Sequence, residues 1–311
     1  MRPDGRAAED VDLDRAQVRR AFERAAATYD EAAVLQREVG QRMAERLDFV
    51  KMQPATILDA GCGTGVALGE LHARYPAARL IALDLALNMT LTARHRALAA
   101  ARSARSLLAH ILGSLTPSRE LEPSYICGDV ASLPIKSSCI DLVWSNLMLQ
   151  WLGDPQQAFA EFRRVLRVGG LLSFTTFGPD TLKELRAAFL AADRATHVGR
   201  FIDMHDLGDM LVHAGFADPV MDMETLVLTY DNAMGLMHDL KAIGAHNVTA
   251  GRPRGMMGRQ RWQRMLAALE ATRREGRLPA SFEVVYGHAW KPEPRLTDDG
   301  SAIIRIKPRA H

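Results

Sequence analysis

The stretch that decides the fold runs from Ala55 to Val66 and reads A-T-I-L-D-A-G-C-G-T-G-V. An apolar, β-rich run ends at Asp59, and three glycines follow within five residues, at Gly61, Gly63 and Gly65. Leucines at helical spacing begin directly afterwards, so the pattern predicts a strand, a tight turn and a helix N-terminus. Glycine allows positive φ and lets a ligand lie against bare peptide N–H groups.

The turn also predicts the kind of ligand. Unpaired N–H groups at the helix start favour an electron-rich group. Dinucleotide sites use G-x-G-x-x-G and place a pyrophosphate there. Here the spacing is G-x-G-x-G, and the preceding Asp59 would repel a pyrophosphate but could hold an ammonium group. A cofactor that joins an amino acid to a nucleoside therefore fits better than NAD. The stretch resembles motif I of the class I S-adenosylmethionine methyltransferases, which implies that cofactor.

The composition narrows the class of protein. With 311 residues and 48% hydrophobic content, the chain can bury a full core, as one enlarged domain or a domain with a cap. A net charge of +2 gives no general attraction to nucleic acid or to a membrane surface. Three cysteines without C-x-x-C spacing predict neither a disulfide framework nor a metal site. The first ten residues are too polar for a signal or transit peptide, so we expect a cytoplasmic protein.

Strands and helices alternate after the turn, which predicts an α/β fold: a mostly parallel, Rossmann-like sheet with helices on both faces. Residues 78–83 form the expected second strand, and Asp84 at its end is placed to accept from ribose hydroxyls. Residues 125–130 form the third, with Asp129 placed to accept from an adenine amino group. Ligands of such sheets bind at the carboxyl ends of the strands. The predicted cofactor-binding residues are Asp59, Gly61, Gly63, Gly65, Asp84, Asp129, Val130 and Asn146.

The N-terminal part lies outside a minimal sheet of this type. Residues 1–13 are polar and are expected to be disordered. Residues 14–50 predict two helices, which could form a flap over the cofactor. Tyr29 would be the aromatic tip of that flap or, equally well, a helix-packing side chain. The cofactor-binding core is expected over 55–177, with a partly helical insertion at 102–123.

The C-terminal part is where we expect substrate choice. Two strands, 219–228 and 282–289, should complete the sheet. The helical excursion between them, 233–274, is interpreted as a cap over the active site. The methyltransferase domain as a whole is assigned to 14–290, and the charged tail at 291–311 is expected to be loose.

The chemistry implied by a sulfonium methyl donor is an in-line displacement, to which proximity and orientation contribute much of the rate. The sequence contains no Ser-His-Asp order, His-Glu metal motif or reactive cysteine context, so we expect no acid–base residue and no metal. Nitrogen and hydroxyl acceptors usually need a base, whereas a carboxylate is already ionised and needs a cation to hold it. The candidate cations are Arg24, Arg200 and Lys241. Each of them could equally be a solvated side chain at the surface.

Further motifs resemble one family over roughly residues 15–290. F-E-R-A-A-A-T-Y-D, L-D-A-G-C-G-T-G, G-D-V-A-S-L-P, W-S-N-L-M-L-Q-W, H-V-G-R-F and L-K-A-I-G-A-H-N, in this order, are similar to the malonyl-acyl-carrier-protein O-methyltransferases of biotin synthesis. The resemblance implies esterification of the free malonyl carboxylate on acyl-carrier protein, which masks its charge. The substrate-binding candidates are Tyr29, Gln150, Trp151, Arg200, Lys241 and His246. Because the carrier is acidic, a basic patch is expected from Arg252, Arg254, Arg259 and Arg261.

Other interpretations stay open at this point. G-P-D-T-L-K-E-L-R, H-D-L-G-D-M-L-V-H-A-G-F and G-H-A-W-K also resemble the mitochondrial complex I assembly factor that hydroxylates an arginine. That factor tends to have histidine where Gln150 precedes Trp151, and the lack of a transit peptide also favours the bacterial methyltransferase. A methyltransferase for a small molecule, such as a quinone precursor or an aliphatic acid, and a non-enzymatic scaffold that binds S-adenosylmethionine are further alternatives.

Overall fold

The computed structural model describes residues 13–112, 122–245, 255 and 257–294. Seven strands form a single sheet across these ranges. The strands are β1 Thr56–Ala60, β2 Arg79–Asp84, β3 Ser124–Cys127, β4 Ile140–Ser145, β5 Leu166–Phe177, β6 Ala217–Tyr230 and β7 Leu278–Trp290. Their order is β3-β2-β1-β4-β5-β7-β6. The first five are parallel, and β7 is antiparallel to both β5 and β6. The strand order reverses between β1 and β4, where such folds bind ligands.

Helices cover both faces of the sheet, as the sequence predicts. The α-helices are α1 Arg15–Ala25, α2 Tyr29–Ala32, α3 Val34–Arg46, α4 Val66–Arg74, α5 Leu87–Leu112, α6 Pro155–Val165, α7 Lys183–Ala192, α8 Met204–Ala214, α9 Ala233–Ala242 and α10 Arg259–Glu270. Short 3₁₀ turns occupy Leu47–Phe49 and Leu149–Trp151. Among the described residues, no helix is both long and apolar enough to cross a membrane.

The core has two halves because successive strand side chains point to opposite faces. Ile57 and Leu142 pack with α3, α4, α7 and α10 on one face. Leu58 and Val143 pack with α6 and α8 on the other. All four side chains are completely buried. The sheet is therefore fixed between two apolar layers, which holds the carboxyl ends of its strands in a constant arrangement.

The flap segment differs in detail from its prediction. The first helix ends at Ala25, whereas the sequence pattern extended it to about residue 30. The chain turns over residues 26–28 because Phe22 and Tyr29 both pack on the small cluster that contains Met89. The segment consequently forms α1, α2 and α3 instead of two helices. Leu13, at the end of the N-terminus expected to be disordered, is described, while residues 1–12 lie outside the described ranges.

Three other predictions need correction. Helix α5 was expected to end near residue 101 but continues to Leu112, so it includes the first half of the partly helical insertion expected at 102–123; residues 113–121 lie outside the described ranges. In the predicted cap, α10 packs against α7 and buries Met265 and Leu269 in the core, so it belongs to the helical layer. Lys291, expected to be loose, hydrogen-bonds through its backbone to Gly169 and Gly170. The tail from residue 295 onward is outside the described part of the chain.

Candidate active site

The three glycines of the turn between β1 and α4 have different surroundings. All three have positive φ, at 82°, 51° and 75° in chain order. A Cβ atom on Gly61 would lie 2.7 Å from Met148 Cβ, so the loop after β4 approaches bare backbone there. Gly65 instead packs against Ala93 of α5, where a Cβ would be 2.7 Å from the alanine Cβ. Gly63 has open space at the Cβ position, which leaves the turn accessible to a ligand.

A cleft, which we call the cofactor cleft, opens beside this turn at the carboxyl ends of β1 to β4, with α1 and α2 on its outer side. Six of the eight predicted cofactor-binding residues line it, namely Gly61, Gly63, Asp84, Asp129, Val130 and Asn146. Asp59 and Gly65 are not on its wall. The predicted rim therefore comes together, and the direct ligand roles of its members remain predictions.

Asp84 organises the turn from the end of β2. Its Oδ2 accepts from the Gly63 N–H at 3.0 Å, and its Oδ1 accepts from the Ala86 N–H at 2.9 Å. Burial raises its pKa from 3.8 to about 6, partly offset by those backbone hydrogen bonds. Because each carboxylate oxygen can accept more than one hydrogen bond, Asp84 keeps capacity for ribose hydroxyls.

Asp59 lies beneath the turn instead of on the cleft wall. Its residue is 3% exposed, and Oδ2 has no hydrogen-bond partner among the described residues. Burial, and secondarily the charge of Asp84, raises the pKa of Asp59 from 3.8 to about 7. An unpaired carboxylate oxygen in a buried position is costly unless a cation or donor reaches it. This environment fits a cationic cofactor group and would oppose an anionic one.

The flap is anchored over the cofactor cleft by carboxylates. Glu23 of α1 accepts from the N–H groups of Leu87 and Asn88, at 2.8 and 2.9 Å, and so caps α5. Asp30 of α2 accepts from the hydroxyl of Thr64 in the glycine turn at 2.6 Å and pairs with Arg96 of α5. The flap thus contacts the turn directly, as its predicted position over the cofactor end requires.

The cleft is also crossed by an ion pair between Arg15 of α1 and Asp129. The other oxygen of Asp129, Oδ1, accepts from the Ala131 N–H at 2.9 Å. Asp129 therefore has a protein partner on each oxygen in this structure. The adenine contact predicted for it would have to share the carboxylate with Arg15.

A second and larger cavity, which we call the acceptor cavity, lies against the cofactor cleft. Four of the predicted substrate-binding residues line it: Tyr29, Gln150, Trp151 and Arg200. Most of its remaining wall is apolar, including Leu149, Leu185, Phe177, Phe201 and Phe282. Within the described lining, Arg200 is the one lysine or arginine. The cavity therefore combines an apolar interior with a cation suited to an anionic group.

The two cavities share part of their walls, at Phe22, Tyr29, Leu147, Trp151 and Leu152. Phe22 and Trp151 meet edge to face, with ring centroids 5.1 Å apart. Burial raises the pKa of the Tyr29 hydroxyl well above its usual range, and the charges of Asp84 and Asp30 add to this. Tyr29 is consequently neutral. The shared wall is where a bound donor could face a bound acceptor.

A hydrogen-bond network fixes the backbone at this junction. Leu147 has φ +48°, an uncommon conformation for a residue with a side chain, and its N–H donates to Thr175 Oγ1 at 2.9 Å. The Thr175 hydroxyl donates to Asn146 Oδ1 at 2.7 Å. The Asn146 amide donates to the Gln36 carbonyl of α3 at 2.9 Å. Asn146 therefore joins β4, β5 and the N-terminal helices at the edge of the cofactor cleft.

The structure does not bring every predicted residue to the site. Leu240 of α9 and Ile243 directly after the helix line the acceptor cavity, whereas Lys241 projects to solvent because it lies about 100° round the helix from Leu240. Arg24 is also exposed and lines neither cavity. His246, Arg252 and Arg254 lie outside the described ranges. His197, the first residue of the H-V-G-R-F motif, also lines the acceptor cavity, although the sequence analysis assigned it no role.

The strand order, the glycine turn and the acidic rim define a class I methyltransferase. A family model described as a methyltransferase domain matches residues 58–174. The YcgJ protein of Bacillus subtilis has the same fold, with a TM-score of 0.53, 16% identity and coverage of 83% of this chain and 99% of its own. Phosphoethanolamine N-methyltransferase 2 of Haemonchus contortus, solved with S-adenosyl-L-methionine, has a TM-score of 0.50 and 13% identity, covering 87% and 57%.

Sequence relatives narrow the class to one family. The malonyl-[acyl-carrier protein] O-methyltransferase of Laribacter hongkongensis is 56% identical over 300 residues, which is 96% of this chain and 97% of the relative. The protein of the same name from Gallionella capsiferriformans is 53% identical over 293 residues, covering 94% and 96%. The chain belongs to the malonyl-[acyl-carrier protein] O-methyltransferase family. The resemblance seen in the sequence is thereby confirmed, and the relationship to an arginine hydroxylase is not favoured.

Proposed function

We propose that this protein transfers a methyl group from S-adenosylmethionine to the free carboxylate of a malonyl thioester on acyl-carrier protein. The product is the malonyl methyl ester from which a pimeloyl chain is extended for biotin synthesis. The observation that carries the proposal is the shared wall of the two cavities. A cleft with an acidic rim meets an apolar cavity with a cation at Phe22, Tyr29, Leu147 and Trp151.

The residues of the cofactor cleft fit S-adenosylmethionine. Asp84 is placed for the ribose, and Gly61 and Gly63 for close approach of the amino-acid part. Beneath the turn, the buried carboxyl of Asp59 favours a cationic group over an anionic one. Asp129 and Val130 would flank the adenine. When bound, this cofactor supplies an electrophilic methyl group on a sulfonium, which is a good leaving group.

The protein's own contribution to transfer is binding and orientation. A malonyl carboxylate is ionised at neutral pH, so no residue has to remove a proton. Arg200 would balance the charge of the acceptor, and the apolar wall would exclude water and strengthen that attraction. The fixed backbone at Leu147 holds the junction in place. Alignment of the two reactants at this junction is the main source of rate in the proposal.

The carrier protein would dock beside α10. Arg259, Arg261 and Arg264 are exposed on the first half of this helix, which has no acidic residue in its first turn. Arg264 donates to the Ala192 carbonyl at 3.1 Å, which places this face next to the end of α7. That helix end leads into the loop at His197 and Arg200 on the cavity wall. A basic face beside the cavity suits an acidic carrier whose acyl arm enters the cavity.

A label-transfer assay tests the proposal. Purified protein and methyl-labelled S-adenosylmethionine would be incubated in parallel with malonyl-loaded carrier, acetyl-loaded carrier and free malonate. We expect base-labile label on the malonyl-loaded carrier only, because that acceptor alone combines a free carboxylate with the carrier. Label on free malonate at a similar rate would favour a small-molecule methyltransferase. Cofactor binding without transfer to any acceptor would contradict enzymatic methylation and favour a scaffold.

A further inference from the structure

His197 and Arg200 stand three residues apart on the loop between α7 and α8, and both line the acceptor cavity. The transfer reaction described above assigns no task to His197. The cavity wall is otherwise largely apolar. Two side chains that can carry positive charge therefore face the same space, although one fixed cation would be enough to balance one carboxylate.

The imidazole of His197 is held on one edge and one face. Its Nε2 lies 2.8 Å from Asp193 Oδ1, which also accepts from the Ala195 N–H at 2.9 Å. Its ring stacks on Phe189 with centroids 4.2 Å apart and planes inclined by 12°. The side chain is 16% exposed. Nδ1 makes no hydrogen bond to any residue that the structure describes, so it is the ring nitrogen left for a ligand.

The surrounding charges allow His197 to donate from both nitrogens. The pKa of Asp193 is lowered, first by its hydrogen bond to His197 and then by the Ala195 N–H, so this carboxylate is ionised at neutral pH. An ionised partner on Nε2 is compatible with an imidazolium whose Nδ1–H points elsewhere. The charged groups near the ring are Arg186 on α7, Asp193 directly after it, Arg261 and Arg264 on α10, and Arg200 on the loop itself.

We propose that His197, held by Asp193, is a second cationic ligand of the acceptor carboxylate and acts beside Arg200. The inference rests on the proposed function, because it concerns the same acceptor. A carboxylate has two oxygens, so each can accept from one of the two cations. In an apolar cavity this pair selects acids over neutral acyl groups such as acetyl, since unpaired donors would be left buried with the wrong acceptor.

The same histidine–aspartate pair could instead serve as a general base for a hydroxyl or amine acceptor. The two roles have opposite pH dependence. A carboxylate ligand must be protonated, so acceptor binding weakens as the pH rises through the range in which histidine titrates. A general base must be neutral, so the turnover rate would rise over the same range while acceptor affinity stayed constant.

The experiment measures binding of malonyl-loaded and acetyl-loaded carrier protein to the cofactor-free protein at pH 6 and pH 8. The variants are His197→Gln, Asp193→Asn and, as a matched control, His205→Gln. His205 also pairs with an aspartate, Asp203, at 2.8 Å, but its side chain is 81% exposed and it is off the cavity wall. The affinity for the malonyl-loaded carrier is divided by the affinity for the acetyl-loaded carrier. This ratio cancels the effect of pH on the carrier protein itself.

In the wild type, the preference for the malonyl form should be about tenfold greater at pH 6 than at pH 8, the value of one charge-assisted hydrogen bond. His197→Gln should abolish this pH dependence and Asp193→Asn should reduce it, while His205→Gln keeps it. Cofactor affinity should stay at the wild-type value in all three variants, and each variant should keep a single cooperative unfolding transition, which shows that the fold is intact.

A pH dependence that survives in His197→Gln would overturn the inference. So would a turnover rate that rises with pH in the wild type and collapses in His197→Gln without loss of acceptor affinity, because that is the behaviour of a general base. Wild-type methylation of the malonyl-loaded carrier is measured in parallel. If it occurs and the variants behave as the wild type, this inference alone fails. If it does not occur, the proposed function fails, and the inference fails with it.

Discussion

The Asp59→Asn substitution addresses the buried carboxylate beneath the glycine turn. Asp59 has a pKa of about 7 because of burial, whereas an ordinary aspartic acid has 3.8. Between these two values the folded state binds a proton that the unfolded state has released. Stability therefore falls as the pH rises through this window, at about 1.36 kcal/mol per pH unit. Asparagine has nearly the same shape but does not titrate, so the Asp59→Asn variant should not lose this stability as the pH rises.

From pH 5 to the folded pKa of about 7 there are two pH units, so Asp59 should cost the wild type about 3 kcal/mol of unfolding free energy by pH 8. This is a large part of the roughly 5–15 kcal/mol that stabilises a typical domain. Asp84, with a pKa of about 6, contributes a similar trend in both proteins and cancels in the comparison. The variant should lose about 3 kcal/mol less than the wild type over this range.

The assay is urea unfolding of the cofactor-free protein at pH 5 and pH 8, with Asp206→Asn as a control at an exposed carboxylate. The same samples with saturating S-adenosylmethionine test the link to function. The cofactor should raise the Tm of the wild type more than that of Asp59→Asn, because only the wild type gains a partner for its buried charge. Parallel stability profiles for the wild type and Asp59→Asn would refute the reasoning.

Three further predictions concern the turn, the acceptor and the flap. Gly61→Ala should lower cofactor affinity at least tenfold, measured by calorimetry, because its Cβ would overlap Met148 at a φ of +82°. The matched control is Gly69→Ala on α4, which has free space at the Cβ position and is off the cofactor cleft, so it should keep the affinity. Arg200→Ala should raise the KM for malonyl-loaded carrier about tenfold or more and leave cofactor affinity unchanged, and equal loss of both would contradict its role. Glu23→Gln should speed cofactor release, because it weakens the cap that fixes the flap on α5. The release rate is measured by stopped-flow fluorescence with Trp151 as the reporter. An unchanged rate would mean that the flap does not limit cofactor exit.

Local sequence patterns predicted the cofactor half of the molecule well. The run from β1 to α4 depends on strand propensity and on glycine, both of which act over a few residues. The alternation of strands and helices fixed the parallel sheet, and it placed Asp84, Asp129 and Asn146 at one edge, where the structure has them. The two strands that complete the sheet were also predicted, whereas their antiparallel direction was not.

The acceptor half depends on contacts between residues far apart in the sequence, and local sequence patterns do not predict such contacts. The break after α1 arises from packing of Phe22 and Tyr29 on Met89, which lies some sixty residues away. Lys241 was expected near the acceptor because its segment was placed close to the site, but the phase of the helix decides which side faces inward. The pair of Asp193 and His197 has the spacing of an ordinary surface pair, so only the position of His197 on the cavity wall sets it apart.

The most direct test of the account is a crystal structure of the protein with S-adenosylhomocysteine and a non-hydrolysable malonyl-pantetheine amide. The account predicts the nucleoside beside Gly61 and Asp84, and the malonyl carboxylate at the shared wall, between Tyr29 and Trp151 and within reach of Arg200. One carboxylate oxygen should face the position of the missing methyl group. A carboxylate that points to solvent, or a nucleoside outside the cofactor cleft, would contradict it.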